Sequence, residues 1–154
     1  LIKSWIRTAI KNRGEVQVTK RRFSPTHTGD MAAAILAVAR QVDCEANVWG
    51  TYLYSGLEPK EEAEFADLTL KYAANYDEEI YQLLDTTRFI EREARAPEIR
   101  NSTMSSKKIF DTFGIKQKSW RGHLQDVVKL LYGDRGGYVK QTQDDGDSAE
   151  TSAA

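Results

Sequence analysis

Apolar residues recur at helical spacing from the start of the chain. Between Ile2 and Ile10 they fall on one face of a helix, and Gly14 follows as a stop signal. This pattern predicts an amphipathic helix with a basic opposite face. Apolar and polar residues then alternate near residues 15–19, which predicts one short extended segment.

The same 3.6-residue period continues through most of the remaining chain. It marks a helix from an N-cap at Asp30 to about Cys44, and further helices at 45–54, 59–96, 107–113 and 119–132. The segment 59–96 is too long for one rod in a domain of this size, so a break is expected at Asn75 or at 85–87. The sequence therefore predicts an all-α fold: a multi-helix bundle of about six or seven helices.

The predicted domain organisation is one helical domain followed by a tail. Residues 1–140 can bury one core, whereas residues 141–154 are rich in Gln, Asp, Ser and Thr and form a predicted disordered acidic tail. The chain begins inside a helical pattern and without an initiator methionine, as a fragment or a processed product does.

The sequence contains no segment that predicts secretion or membrane insertion. Its longest apolar run, 31–39, is far shorter than the roughly 20 residues that span a bilayer. Cys44 is the only cysteine, so an internal disulfide cannot form. We therefore expect an intracellular protein, neither secreted nor membrane-spanning.

The near-neutral net charge of -1 hides blocks of opposite sign. Residues 1–28 carry seven basic side chains against one acidic side chain, and residues 99–140 carry nine against three. Between them, residues 29–98 carry 15 acidic and six basic side chains. Two basic segments around an acidic middle favour an anionic polymer or an acidic protein as partner.

One basic segment, residues 107–124, resembles a helix-turn-helix. Gly114 suits a tight turn, and Ile115 supplies the apolar anchor that such a turn needs. However, Phe110 stands where the crossing helices usually need a small residue, and a late buried position falls on His123. The alternative is an ordinary helical hairpin of the core.

The other basic segment is Lys20-Arg21-Arg22 with Phe23 beside it. Three cations next to an aromatic ring suit a phosphate backbone and a stacked base. Helical viral nucleoproteins and coat proteins hold RNA between two basic lobes, an analogy of architecture only. Alternatively, the three cations are solvated or pair with the acidic middle of the same or a neighbouring molecule.

These features favour a non-catalytic, nucleic-acid-binding and self-associating helical protein of the nucleoprotein, packaging or replication-associated type. The expected partners are nucleic acid, RNA or DNA, and copies of the chain itself, with an acidic protein as a further partner. The predicted phosphate contacts are Lys20, Arg21, Arg22, Lys107, Lys108, Lys116, Lys118 and Arg121. The competing hypothesis is a helical protein-interaction or assembly module that binds no nucleic acid.

Catalysis has little support in the sequence. His27 and His123 lie far apart, no H-E-x-x-H pair occurs, and neither a phosphate-binding G-x-x-x-x-G-K-[ST] loop nor a G-x-G-x-x-G turn is present. The clustered acids of 61–79 are typical of a solvated helix face. We therefore predict no catalytic residues, no metal, no cofactor and no enzymatic activity, and an enzyme that uses these carboxylates ranks below both binding hypotheses.

Overall fold

A computed structural model describes residues 1–43 and 48–133 of the chain. Its helices are Ile2–Lys11 (α1), Thr28–Asp43 (α2), Glu62–Ala73 (α3), Glu78–Leu83 (α4), Lys107–Phe113 (α5) and Arg121–Tyr132 (α6). Its strands are Glu15–Lys20 (β1), Arg22–Phe23 (β2), Lys60–Glu61 (β3), Arg88–Glu93 (β4) and Asn101–Ser102 (β5). A short 3-10 turn, Leu84–Thr86, follows α4.

The strands form two small sheets. Strands β1 and β4 pair with each other, and β2 lies between β3 and β5 in a three-stranded sheet. β2 runs antiparallel to β3, with Arg22 opposite Glu61, and parallel to β5, with Arg22 opposite Asn101. A parallel pair needs a long crossover, and the described part of the chain between β2 and β5 includes α2, α3 and α4.

The predicted all-α bundle is therefore wrong, because the chain is a mixed α/β protein. Three of the missed strands are two residues long, too short for a period-2 pattern to be recognised. β4 is mostly exposed, so its sequence shows no apolar alternation. Pairing with distant segments, rather than local pattern, makes these residues strands.

Several local predictions are confirmed. α1 and α5 occupy the predicted segments, and β1 is the predicted extended segment. The long helical pattern does break after α3, although Asp77 rather than Asn75 caps the next helix. Gly114 ends α5 in the left-handed conformation with φ 70°, which glycine adopts without a steric penalty.

The predicted helix at 45–54 is wrong for its described part, because residues 48–54 are not helical. Their aromatic and aliphatic side chains mimic a helical period. Instead, Val48, Tyr52 and Tyr54 contribute to an apolar cluster together with α2 and α5. A short apolar run of this kind fits either structure on periodicity alone.

The described residues group into two compact units, each made of separated chain segments. The first unit comprises residues 1–17 and 66–90 and the described residues from 124 onward, and in it α1 contacts α4. Its buried side chains include Trp5, Ile6 and Ile80. The predicted single domain stays a prediction, and the predicted tail lies outside the described residues.

The second unit comprises residues 18–65 and 91–123. Its core cluster joins Ala34 of α2, Tyr54, and Ile109 and Phe113 of α5. The Tyr52 ring meets the Phe113 ring edge-on, with the centroids 4.9 Å apart. This cluster packs α2 against α5. Because Tyr54 belongs to it, the cluster also fixes the position of the neighbouring Ser55.

Among the residues that the structure describes, no helix is both long enough and apolar enough to cross a bilayer. The predicted intracellular location stays a prediction.

Candidate functional site

Residues 55–58 of the second unit are held by hydrogen bonds from two distant segments. The backbone N–H of Ser55 donates to Ser106 Oγ at 3.1 Å, and that of Leu57 donates to the carbonyl of Lys118 at 3.0 Å. The Gln117 amide donates to the carbonyls of Ser55 and Gly56, both at 3.1 Å. Ser55 and Ser106 are buried, so their polar groups depend on these hydrogen bonds rather than on water. The bonds therefore hold residues 55–58 against Ser106 and against residues 117–118.

Gly56 allows a fourth segment to approach. A Cβ on this residue would lie 1.9 Å from the carbonyl oxygen of Pro25. The Gly56 N–H also donates to Thr26 Oγ1 at 3.0 Å. Only glycine fits here, so the residue type at position 56 sets how closely the loop before α2 packs against residues 55–58.

Three aromatic side chains contact one another beside the end of segment 55–58: Phe23, Phe65 and Trp120. The Phe65 ring meets Trp120 and Phe23 edge-on, at centroid distances of 5.1 and 5.5 Å. The Trp120 indole N–H donates to the carbonyl of Glu58 at 2.8 Å, and Arg121 Nε contacts the Glu58 carboxylate at 2.7 Å. This end of segment 55–58 is therefore anchored by packing as well as by hydrogen bonds.

An open groove of about 450 Å³ lies between segment 55–58 and the start of α5. Its volume falls in the range of small-molecule sites. Its lining combines apolar, cationic and hydroxyl or amide side chains: Leu57, Met104, Ser105, Ser106, Lys107, Phe110, Lys116 and Gln117. We refer to it as the α5 groove.

The apolar side chains of the α5 groove are unusually exposed for their type. Phe110 and Met104 each expose 44 % of their surface, and Leu57 exposes 52 %. The two lysines place positive charge beside them. A ligand with a flat apolar ring, an anionic group and hydroxyls would match all three kinds of lining residue.

The predicted basic residues are mostly occupied by acids within the chain. Lys20 pairs with Glu93, Arg21 with Glu62, Arg22 with Glu61, Lys107 with Asp111, Lys118 with Asp30, and Arg121 with Glu58. Lys108 Nζ donates to the carbonyl of Thr51 and lies over the Tyr52 ring. Of the eight, Lys107 and Lys116 line the groove.

The helix-turn-helix hypothesis does not fit the chain between α5 and α6. Residues 114–120 form a seven-residue non-helical connection, whereas the motif needs a turn of about three or four residues. Gln117 and Lys118 in this connection bind residues 55–57 and Asp30 instead. The Gly-Ile pair after a short helix is too common a signal to identify the motif.

Sequence reasoning missed most of the groove. The prediction did not include four of the lining residues, because they come from separate segments and form no local motif: Leu57, Met104, Ser105 and Gln117. The glycine and hydroxyl residues at 55–56 and 105–106 offered the available signal, since Gly and Ser cluster where backbones approach closely.

Asp30 and Lys118 lie next to the buried Tyr54. Asp30 is 8 % exposed and Tyr54 is 6 % exposed. Burial raises the pKa of the Tyr54 hydroxyl, and the Asp30 carboxylate raises it further. Tyr54 therefore stays protonated at neutral pH and acts as a neutral hydroxyl in the core.

Known structures share this fold at low sequence identity. The dTDP-4-dehydrorhamnose reductase of Bacillus anthracis, in complex with NADP, is 22 % identical with a TM-score of 0.58, over 80 % of this chain and 40 % of that chain. A Clostridium acetobutylicum dTDP-4-dehydrorhamnose reductase is 17 % identical, with a TM-score of 0.63 over 86 % and 44 %. The dTDP-glucose 4,6-dehydratase of Bacillus anthracis, in complex with NAD, is 14 % identical, with a TM-score of 0.63 over 88 % and 40 %.

The chain thus spans less than half the length of these structures. A comparison with curated proteins found no match. These structures share an α/β fold with this chain, which agrees with the strands that the sequence pattern failed to indicate.

A match to a protein family covers residues 2–132, and that family is described as the RmlD substrate binding domain. It overturns the predicted nucleoprotein-type function, its nucleic-acid and self-association partners, and the alternative of a helical interaction module. The prediction of a non-enzyme is overturned with them, since the matched structures are a reductase and a dehydratase. The match covers most of the chain, which therefore belongs to the RmlD substrate binding domain family.

Proposed function

We propose that this chain is the nucleotide-sugar-binding part of an NAD(P)-dependent sugar-nucleotide enzyme. The family match over residues 2–132 carries this proposal. The matched reductases and dehydratase act on dTDP-linked sugars by their names, and a UDP-glucuronic acid 4-epimerase shares the fold at 12 % identity and a TM-score of 0.54. The shared chemical class of these substrates is a nucleoside diphosphate sugar.

The α5 groove supports the proposal because its lining matches the three parts of such a molecule. The exposed face of Phe110, with Met104 and Leu57, suits a nucleobase. Lys116 suits a diphosphate, as does Lys107, because its ion pair with Asp111 is solvent-exposed and weak enough to exchange for a phosphate. The remaining hydroxyl and amide side chains suit the hydroxyl groups of a sugar.

The described residues do not fit the nicotinamide cofactor. A dinucleotide site needs a glycine-rich turn between a strand and a helix, and the sequence has no G-x-G-x-x-G. The parallel pair β2 and β5 contains only two residues in each strand. The cofactor would therefore be held by residues other than those described, and no redox step is assigned to this chain.

Isothermal titration with dTDP-glucose and with UDP-glucuronic acid tests the proposal. We expect binding of at least one of the two ligands, and a loss of about tenfold to a hundredfold in affinity for each lysine in Lys107→Gln and Lys116→Gln. The matched control is Lys11→Gln with Lys129→Gln, which removes two exposed lysines far from the groove in sequence and should leave affinity unchanged.

Two outcomes would overturn parts of this proposal. Absence of binding to both ligands by the folded wild-type chain would contradict nucleotide-sugar binding. Binding that the groove variants leave intact would retain the ligand class but exclude the α5 groove as its site.

A further inference from the structure

The two histidines of the chain lie in contact, although one precedes α2 and the other lies in α6. Their rings are stacked, with centroids 4.0 Å apart and planes inclined by 9°. The chain has no other histidine. The sequence-based prediction of no metal site rested on their separation along the chain, and folding removes that separation.

A buried carboxylate completes the cluster. His123 Nε2 lies 3.0 Å from Asp30 Oδ2, while Lys118 Nζ lies 3.2 Å from the other oxygen, Oδ1. One donor atom from each of His27, Asp30 and His123 lies within 4.8 Å of the other two. None of these three residues lines the α5 groove.

We propose that His27, Asp30 and His123 form a site for a divalent transition metal, with zinc as the preferred ion. Two imidazoles and one carboxylate are a ligand set that zinc uses in sites with an open fourth position. His123 Nε2 and Asp30 Oδ2 are 3.0 Å apart, a hydrogen-bonding distance, and must separate to about 3.3–3.6 Å to bind one tetrahedral ion that lies about 2.0–2.2 Å from each atom. Water or an anion would take the fourth position.

Metal binding requires one imidazole to rotate. A bound ion lies in the plane of each ligating ring, and two nearly parallel rings cannot share such a point. His27 is the ring free to move: it is partly exposed, and the Gly29 N–H donates to its Nδ1 at 3.2 Å, a bond that a small rotation breaks. One of its two ring nitrogens then becomes the ligand atom.

A substitution of Lys118 tests the proposal, because the proposed site predicts an increase in metal affinity and a purely structural role predicts a decrease. Its ammonium group beside Asp30 repels a cation, and 60 % of its side chain is exposed. Lys118→Gln should therefore strengthen metal binding, whereas a site that needs Lys118 for its architecture would weaken. Lys129→Gln, which removes an exposed lysine later in α6, is the control and should change little.

The experiment is a titration of the untagged, metal-free chain with Co²⁺, monitored by the visible absorption of the ion, and then with Zn²⁺ by calorimetry. We expect one ion per chain and tetrahedral Co²⁺ bands. His27→Ala and His123→Ala should each weaken binding by more than the roughly 10–100-fold that loss of an outer partner costs. Cys44→Ser should leave binding unchanged, which excludes the only cysteine as a ligand.

The outcomes separate this site from the proposed function. Failure of the folded chain to take up either ion would overturn the metal site, as would uptake that persists when His27→Ala and His123→Ala are combined in one chain. Because His27 lies on a partly exposed loop, its variant should retain the fold, with circular dichroism as the check. Nucleotide-sugar binding in the α5 groove depends on different residues, so its titration tests the proposed function independently of the metal titration.

Discussion

At the scale of single residues, Glu62 shows how burial changes the value of an ion pair. Its carboxylate is 4 % exposed, accepts the Thr19 N–H at 3.1 Å and pairs with Arg21. Its neighbour Glu61 pairs with Arg22 at 3.6 Å, but both of those side chains are about half exposed. The two adjacent glutamates thus each pair with an arginine, but the carboxylate of Glu62 is buried and that of Glu61 is about half exposed.

We expect Glu62→Gln to lower the free energy of unfolding by about 1.5–3 kcal/mol, since it removes a charge-assisted hydrogen bond in a buried setting. Glu61→Gln, the matched control, should cost between about 0 and 1 kcal/mol. Chemical denaturation of both variants measures the difference. Equal losses would show that burial of Glu62 does not strengthen its pair.

At the scale of elements, α4 depends on its cap rather than on its length. It contains six residues, too few for a helix to be stable by itself. The Asp77 carboxylate accepts the N–H groups of Glu79 at 3.1 Å and Ile80 at 3.4 Å, and Ile80 is buried beneath the first turn. The cap and this one buried side chain set where the helix starts.

Asp77→Ala should therefore destabilise the fold by about 0.5–2 kcal/mol. Asp67→Ala in α3 serves as the control, because it removes an exposed carboxylate that pairs with Lys71 one turn away and is worth about 0.3–0.5 kcal/mol. Thermal unfolding gives both values. A smaller effect at Asp77 than at Asp67 would contradict the capping role.

Elements also show where sequence reasoning succeeds. α1 and α5 were predictable because each has an apolar face and a glycine after its end, at Gly14 and Gly114. β4 was not, because its pairing partner β1 lies far away along the chain and its own residues are mostly exposed. The local pattern of apolar and polar residues identifies elements that bury one face. It does not identify strands that form only because they pair with a distant strand.

At the scale of the whole molecule, charge blocks were a misleading guide to function. The acidic middle and the basic flanks neutralise each other within the fold, as in the pairs Arg21 with Glu62 and Lys118 with Asp30. A sequence alone does not show this pairing, because the partners are distant in the chain. The groove and the histidine cluster were hidden for the same reason, since each combines residues from segments that only the fold brings together.

The second unit depends on one close approach of its segments. Gly56→Ala places a methyl group 1.9 Å from the Pro25 carbonyl oxygen, so the loop before α2 must move. We expect a loss of about 1–3 kcal/mol or more in the free energy of unfolding, together with weaker nucleotide-sugar binding. Gly114→Ala is a useful comparison, since a Cβ there meets no atom within 4 Å and the cost is the left-handed backbone alone. Intact affinity in a folded Gly56→Ala chain would show that the approach does not shape the site.

The crowding at Gly56 also limits how this sequence can evolve. At Gly114 the constraint is backbone conformation, so asparagine is an accessible replacement during neutral drift. At Gly56 the constraint is space, and no single substitution can meet it. A descendant that lost this glycine would need a second change that moves the Pro25 loop, so the two segments can diverge only together.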